Sequence, residues 1–202
     1  YYRFTKSFSE GDSLSYLLQV HNLRAKNTAG EWLSPEVSFD LQAGEVLFFR
    51  GENGAGKSTL LKTILGLHKK FSGDFKFSVQ PEEIQYLPQL GNLHFHLPLT
   101  LQDMLSDAQT ELPLLKGLDL QKKWNTASGG ERQKILLASV LEKNPRLLIL
   151  DEPFNHVDKE SIVVIEEALS LFLKSHPQSS LILVSHRAFV QDWAHVRFLE
   201  IR

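Results

Sequence analysis

Eight residues, Gly51-Glu52-Asn53-Gly54-Ala55-Gly56-Lys57-Ser58, match Gly-x-x-x-x-Gly-Lys-Ser/Thr without a departure. The chemistry such a run supports is the holding of phosphate. Glycines let consecutive backbone N–H groups curl round phosphate oxygens, and the helix start that follows, with Thr59 in its first turn, adds positive potential. Lys57 is the cation for the β- and γ-phosphates, and the Ser58 hydroxyl is an oxygen donor for Mg²⁺. A second constellation could act on what the first holds. Arg146-Leu147-Leu148-Ile149-Leu150-Asp151-Glu152 ends an apolar run on two acids. Asp151 is placed for the Mg²⁺ shell, and Glu152 for orienting or deprotonating an attacking water. Between them lies Ala127-Ser128-Gly129-Gly130-Glu131-Arg132-Gln133. A hydroxyl and two glycines there lead into a helix, a second helix start able to meet an anion. The same seven residues also read as an ordinary serine cap with a glycine turn.

These groups need elements to carry them. Glu45 to Phe49 reads as a buried strand before the glycine loop, and Lys57 to Leu67 as a helix after it, with Leu60, Leu61, Ile64 and Leu65 apolar. Leu147 to Leu150 and Leu181 to Val184 are continuous apolar runs, expected as buried strands that end at Asp151-Glu152 and Ser185-His186. Glu131 to Glu142 and Ser161 to Lys174 carry helical periodicity, stopped by Asn144-Pro145 and His176-Pro177. Ile84 to Leu87, Phe75 to Val79 after a Ser72-Gly73-Asp74 turn, and Val196 to Ile201 complete the expected strands. Strands alternating with helices argue for an α/β fold with a parallel sheet. Tyr16 to Leu23 and Val37 to Leu41 alternate and predict a small antiparallel layer beside it. Residues 1–16 are polar and expected as an arm, residues 17–202 as one domain, and residues 90–127, with Pro98, Pro113 and Gly117, as a small helical insertion.

The chain has 202 residues and 42% hydrophobic content, enough for a sizeable core. Lys+Arg is 22 and Asp+Glu is 24, a net charge of −2 that gives no electrostatic case for nucleic acid. There is no cysteine, so disulfides and thiolate metal sites are excluded. No apolar run reaches the roughly 18 residues of a membrane span, and no signal-peptide pattern is visible. His94 and His96 stand two apart without a third ligand nearby, the pattern of a surface loop rather than a metal site.

Taken in order, these segments resemble the ATP-binding cassette family. Gly51 to Ser58 resembles its Walker A loop, and Leu147 to Glu152 its Walker B strand with a catalytic glutamate. Gln89, in Tyr86-Leu87-Pro88-Gln89, resembles the Q-loop glutamine, Ser128-Gly129-Gly130-Glu131 the signature, and His186 the switch histidine. The resemblance implies a P-loop NTPase core that binds ATP with Mg²⁺, the metal near Ser58, Gln89 and Asp151. It also implies a head-to-tail pair of cassettes, with Ser128 and Gly130 of one copy reaching the γ-phosphate held by the other. Asp158 resembles the aspartate that crosses that interface.

The chain departs from the family pattern in several places. Ala127 stands for the usual leucine and Glu131 for the usual glutamine. Phe154 and Arg187 replace common small and acidic residues. The aromatic that stacks on adenine should fall near Asn27, which cannot stack. Trp32 either swings in for that role or packs on the antiparallel layer. Weak stacking would give loose nucleotide selectivity.

The family resemblance implies an ATPase subunit at the cytoplasmic face of a membrane, driving a separate permease. Leu93, Phe95, Leu97, Leu99, Leu101 and Met104 are either part of a groove for a partner helix or the insertion's own core. A second reading, a soluble family member acting on ribosomes, draws on Asn155-His156-Val157-Asp158. The single cassette and negative charge weigh against it, and intact Lys57, Glu152 and His186 weigh against an inactive regulator.

Overall fold

The computed structural model describes residues 16–89, 96–106, 112–186, 193 and 195–202. Among these residues the order of elements is β1 (Tyr16–Ala25), β2 (Val37–Gln42), β3 (Val46–Arg50), α1 (Lys57–Ile64), β4 (Phe71–Phe77), β5 (Ile84–Leu87), α2 (Gly129–Leu141), β6 (Leu147–Asp151), α3 (Lys159–Ser175), β7 (Ser180–Val184) and β8 (Val196–Glu200). Five strands form a parallel sheet in the order β5-β6-β7-β3-β8. Strand β1 pairs antiparallel with β2 on one side and β4 on the other, giving the small antiparallel layer.

The apolar runs are continuous because both faces of the parallel sheet are covered. Side chains alternate across it. Leu47 and Phe49, Leu147 and Ile149, and Ile182 and Val184 face one core, shared with Leu18, Val20 and Leu41 of the antiparallel layer and Leu60, Leu61 and Ile64 of α1. Val46 and Phe48, Leu148 and Leu150, and Leu181 and Leu183 face the other, shared with Leu137 and Ala138 of α2 and Ile162, Ile165 and Leu169 of α3. Each such side chain taken out of water contributes about 1.5–3 kcal/mol. Together they fix the register that aligns Asp151 with Val184 and Phe49 with Val184. The ends of β3, β6 and β7 therefore lie side by side at the carboxyl edge, where ligands bind in open α/β sheets.

Several expected boundaries shift. Helix α1 stops at Ile64 rather than Leu67, because Gly66 and Leu67 return their N–H groups to the carbonyls of Thr63 and Lys62. Ser72-Gly73-Asp74 is not a turn but the middle of β4, where the β1 register jumps between His21 and Arg24. Gly73 takes φ +84 there, and a Cβ would strike the backbone of His21 and Asn22, so only glycine fits this bulge. The described part of 90–127 forms three single 3-10 turns, Gln102–Met104, Pro113–Leu115 and Trp124–Thr126, rather than longer helices. Leu101 and Trp124 are fully buried there with Ala127 and Ile135, and Met104 packs against them, so Leu101 and Met104 are core. Leu97 is exposed. Residues 1–15, Leu93, His94, Phe95 and Arg187 lie outside the described residues.

Phe49 has no exposed surface and meets Phe39 of the antiparallel layer edge-on, ring centroids 5.5 Å apart at 83°. Phe49→Ala is expected to cost about 3–5 kcal/mol, read from the shift of a urea unfolding midpoint.

Candidate active site

Helix α1 begins at Lys57 with Gly56 as its cap, at φ 88 and ψ 11, and no side chain satisfies its first N–H groups. Helices α2 and α3 are both capped, by Ser128 and Asp158. An uncapped start aimed at the sheet edge leaves donors and positive potential for an anion. Gly56 is required by the close approach of the chain as well as by its φ: a Cβ would collide with the Leu33 carbonyl and with Ser34. Lys57 is only 6% exposed, and its ammonium donates to the carbonyls of Gly51 and Glu52, both at 2.8 Å. These carbonyls solvate the buried charge that the loop must carry.

Across the sheet edge, the Ser58 hydroxyl donates to Asp151 Oδ1 at 2.9 Å. Asp151 is buried at the end of β6, and its Oδ2 accepts a longer bond of 3.3 Å from the Tyr86 hydroxyl. Burial, with the neighbouring Asp151 charge and this bond, pushes the Tyr86 phenol well above its ordinary range. Glu152 leaves the strand at φ 50, with its N–H on the Val184 carbonyl at 2.9 Å. It is 8% exposed, and its Oε1 lies 2.7 Å from His186 Nε2. Burial raises the pKa of Glu152, against the opposing pull of His186 and Lys57.

A cleft of about 310 Å³ joins these groups, lined by Gly54, Gly56, Lys57, Ser58, Thr59, Gln89, Glu152 and His186, with Asn53, Asn155 and Leu33 at its sides. Gly51 and Glu52 face Lys57 through their carbonyls, and Ala55 packs towards the core. The signature-like segment does not line this cleft. Ser128 caps α2, accepting from Glu131 N at 3.1 Å, while Glu131 Oε2 accepts from Ser128 N at 2.6 Å. Gly129 and Gly130 seat the start of α2 against the segment before α3. A Cβ on Gly130 would meet Ser161 and the Asp158 carboxylate, and one on Gly129 the His156 carbonyl. Both Asp158 oxygens are taken by Ser161, one by its N–H and one by its hydroxyl, each at 2.8 Å.

At the base end, Asn27 folds into its own turn and accepts from Ala29 and Glu31 N–H groups, both at 2.9 Å. Trp32 is 44% exposed and bridges to Lys26. The Arg24 guanidinium and Lys26 ammonium lie over its ring, 4.2 and 4.3 Å from the centroid. Leu33, not Trp32, lines the cleft. Sequence reading missed Tyr86 and Leu33 as neighbours of the site. A tyrosine in a short strand three residues before Gln89 was the available signal, since its hydroxyl needs a partner.

Removing the buried charge of Glu152 should stabilise the fold. Because its folded pKa is raised, its ionisation costs stability as pH rises through that pKa and costs nothing below the ordinary carboxylate range. Glu152→Gln is therefore expected to melt above the unaltered chain at pH 8, with the gain vanishing towards pH 4, as followed by calorimetry.

The family model described as ABC transporter matches residues 35–155. A protein of Escherichia coli O157:H7 named Probable ATP-binding protein YbiT is 38% identical over 174 residues, 80% of this chain and 32% of that protein. The zinc import ATP-binding protein ZnuC 1 of Aliivibrio fischeri is 37% identical over 159 residues, 74% of this chain and 61% of that protein. ZnuC of Buchnera aphidicola subsp. Baizongia pistaciae is 36% identical over 188 residues, covering 86% and 75%. The chain thus spans about a third of the first of these relatives and three-fifths of the second. Among solved structures, an ATP binding subunit of an ABC transporter superposes with TM-score 0.68 at 28% identity, covering 84% of this chain and 79% of that one. A structure described as an inward-facing conformation of a putative metal-chelate type ABC transporter gives TM-score 0.68 at 25% identity, covering 86% and 74%. The chain belongs to the ABC transporter family, with the α/β P-loop fold of that family's ATP-binding subunits.

Proposed function

We propose that this chain binds and hydrolyses ATP in the cleft at the carboxyl edge of the sheet, and that hydrolysis powers movement of a metal solute through a separate membrane permease. The observation that carries the reading is the convergence of Lys57, Ser58, Gln89, Glu152 and His186 on one cleft. The loop from Gly51 to Ser58 and the uncapped start of α1 take the phosphates. Lys57 exchanges its two loop carbonyls for phosphate oxygens. Ser58 and Asp151, bonded at 2.9 Å, present the hard oxygen donors that suit Mg²⁺, with Gln89 at the cleft wall as a further oxygen. Mg²⁺ held there would neutralise charge on the β- and γ-phosphates. Glu152 orients the attacking water and takes its proton as the new bond to phosphorus forms and ADP leaves. Burial raises its pKa and so makes it a better proton acceptor than an exposed carboxylate. His186, held on Glu152, is placed to meet the γ-phosphate side of the cleft.

Ser128, Gly129, Gly130 and Glu131 lie away from this cleft, which supports a second copy paired head to tail, whose signature-like segment closes the site. Among the described residues no helix is long and apolar enough to cross a membrane. A permease as a separate partner is supported by the relatives named as ATP-binding proteins of import systems and the structure named as an ATP binding subunit. Nucleic acid has no place in this reading. The names of the zinc import relatives and of the metal-chelate type neighbour support a metal as the solute class.

Glu152→Gln is expected to lower turnover at least about 100-fold and to accumulate an ATP-bound dimer in sedimentation. A Glu152→Gln chain that hydrolyses ATP at the unaltered rate contradicts the assignment. Affinity capture from native membranes should recover a polytopic permease, and deletion should reduce zinc uptake. Capture of ribosomes without a membrane protein would favour the soluble reading instead.

A further inference from the structure

The start of α2 carries a charge problem that its capping geometry exposes. Glu131 accepts from Ser128 N at 2.6 Å, so a carboxylate occupies the positive end of the helix. That end is the one the paired reading needs for the phosphates of a nucleotide held by a second copy. A carboxylate there steadies the helix but spends its positive potential and repels an incoming triphosphate.

Lys122 answers this. Its ammonium reaches both Glu131 oxygens, at 2.8 and 3.0 Å, and holds that carboxylate below its usual pKa range. Lys122 does not come from α2. It is fixed from the preceding segment: its carbonyl accepts from Leu101 N at 3.0 Å, its N–H donates to Asp119 at 3.1 Å, and Trp124 is buried two residues on. Arg132, a further cation near the segment, donates to the Ala127 carbonyl at 3.0 Å. Lys122 and Glu131 are 34% and 23% exposed, so the pair adds little as a stability device.

We infer that Lys122 is a positioning residue that holds Glu131 in its cap and cancels its charge, so that the Ser128–Gly130 end can accept phosphate from a second copy. This rests on the paired reading above. In the Glu152→Gln background, ATP-driven dimerisation is measured by analytical ultracentrifugation, alongside binding of a fluorescent ATP analogue to the monomer. Lys122→Gln is expected to weaken the dimer about tenfold, as two symmetric helix ends each lose a charge contact, with monomer binding unchanged. Adding Glu131→Gln should restore the dimer to within about twofold of the parent, since the neutral side chain keeps the cap without the charge. Lys122→Arg should behave as the parent. Dimerisation unaffected by Lys122→Gln, or a loss that Glu131→Gln does not relieve, overturns the inference alone. A parent that stays monomeric with ATP overturns the paired reading and this inference with it.

Discussion

The 2.9 Å hydrogen bond from Ser58 to Asp151 joins two segments 93 residues apart in the chain, and the site depends on that bond being available. It forms only because β7 lies between β3 and β6 in register with both. A slip of one residue in either pairing would turn Asp151 to the opposite face and break the match. The register is held by apolar packing on both faces of the sheet, so the chemistry at the edge is set by the core beneath it. His186 lies two residues past the end of β7 and reaches Glu152 from the strand between the two partners.

Among the described residues, the starts of the three α-helices divide their roles by how they are capped. Helix α3 is closed by Asp158 and Ser161, and the residues around that cap support the glycines of α2. Helix α2 is closed by its own serine and glutamate. Helix α1 is left open, and Lys57 beside it is solvated by carbonyls that exchange readily for phosphate oxygens. At α1, where this chain's own cleft is to take a ligand, donors are withheld from internal partners, and at α3 they are spent on rigidity. Glu152 carries the cost of this design, being buried beside few compensating groups.

The parallel sheet and the residues of the cleft were legible in the sequence because their signals are local. A continuous apolar run marks a strand covered on both faces, and Gly51 to Ser58 states its own backbone requirement. Less was legible where the deciding partner is distant. Gly73 reads as a turn until β1 is seen to bulge against it. Trp32 reads equally as a base-stacking ring or packing, and its association with Arg24 and Lys26 depends on a strand bridge that spacing does not reveal. Tyr86 and Lys122 were passed over because their partners, Asp151 and Glu131, come from other elements.

The claim that the edge of the sheet forms one phosphate site from two distant segments is tested most directly by calorimetric titration of ATP, with and without Mg²⁺, into the unaltered chain, Lys57→Ala and Asp151→Asn. The expected result is one ATP per chain for the unaltered protein, binding lost in Lys57→Ala, and an Asp151→Asn chain whose ATP affinity no longer responds to Mg²⁺. Equal ATP affinity in all three, with Mg²⁺ enhancing binding in each, would contradict it.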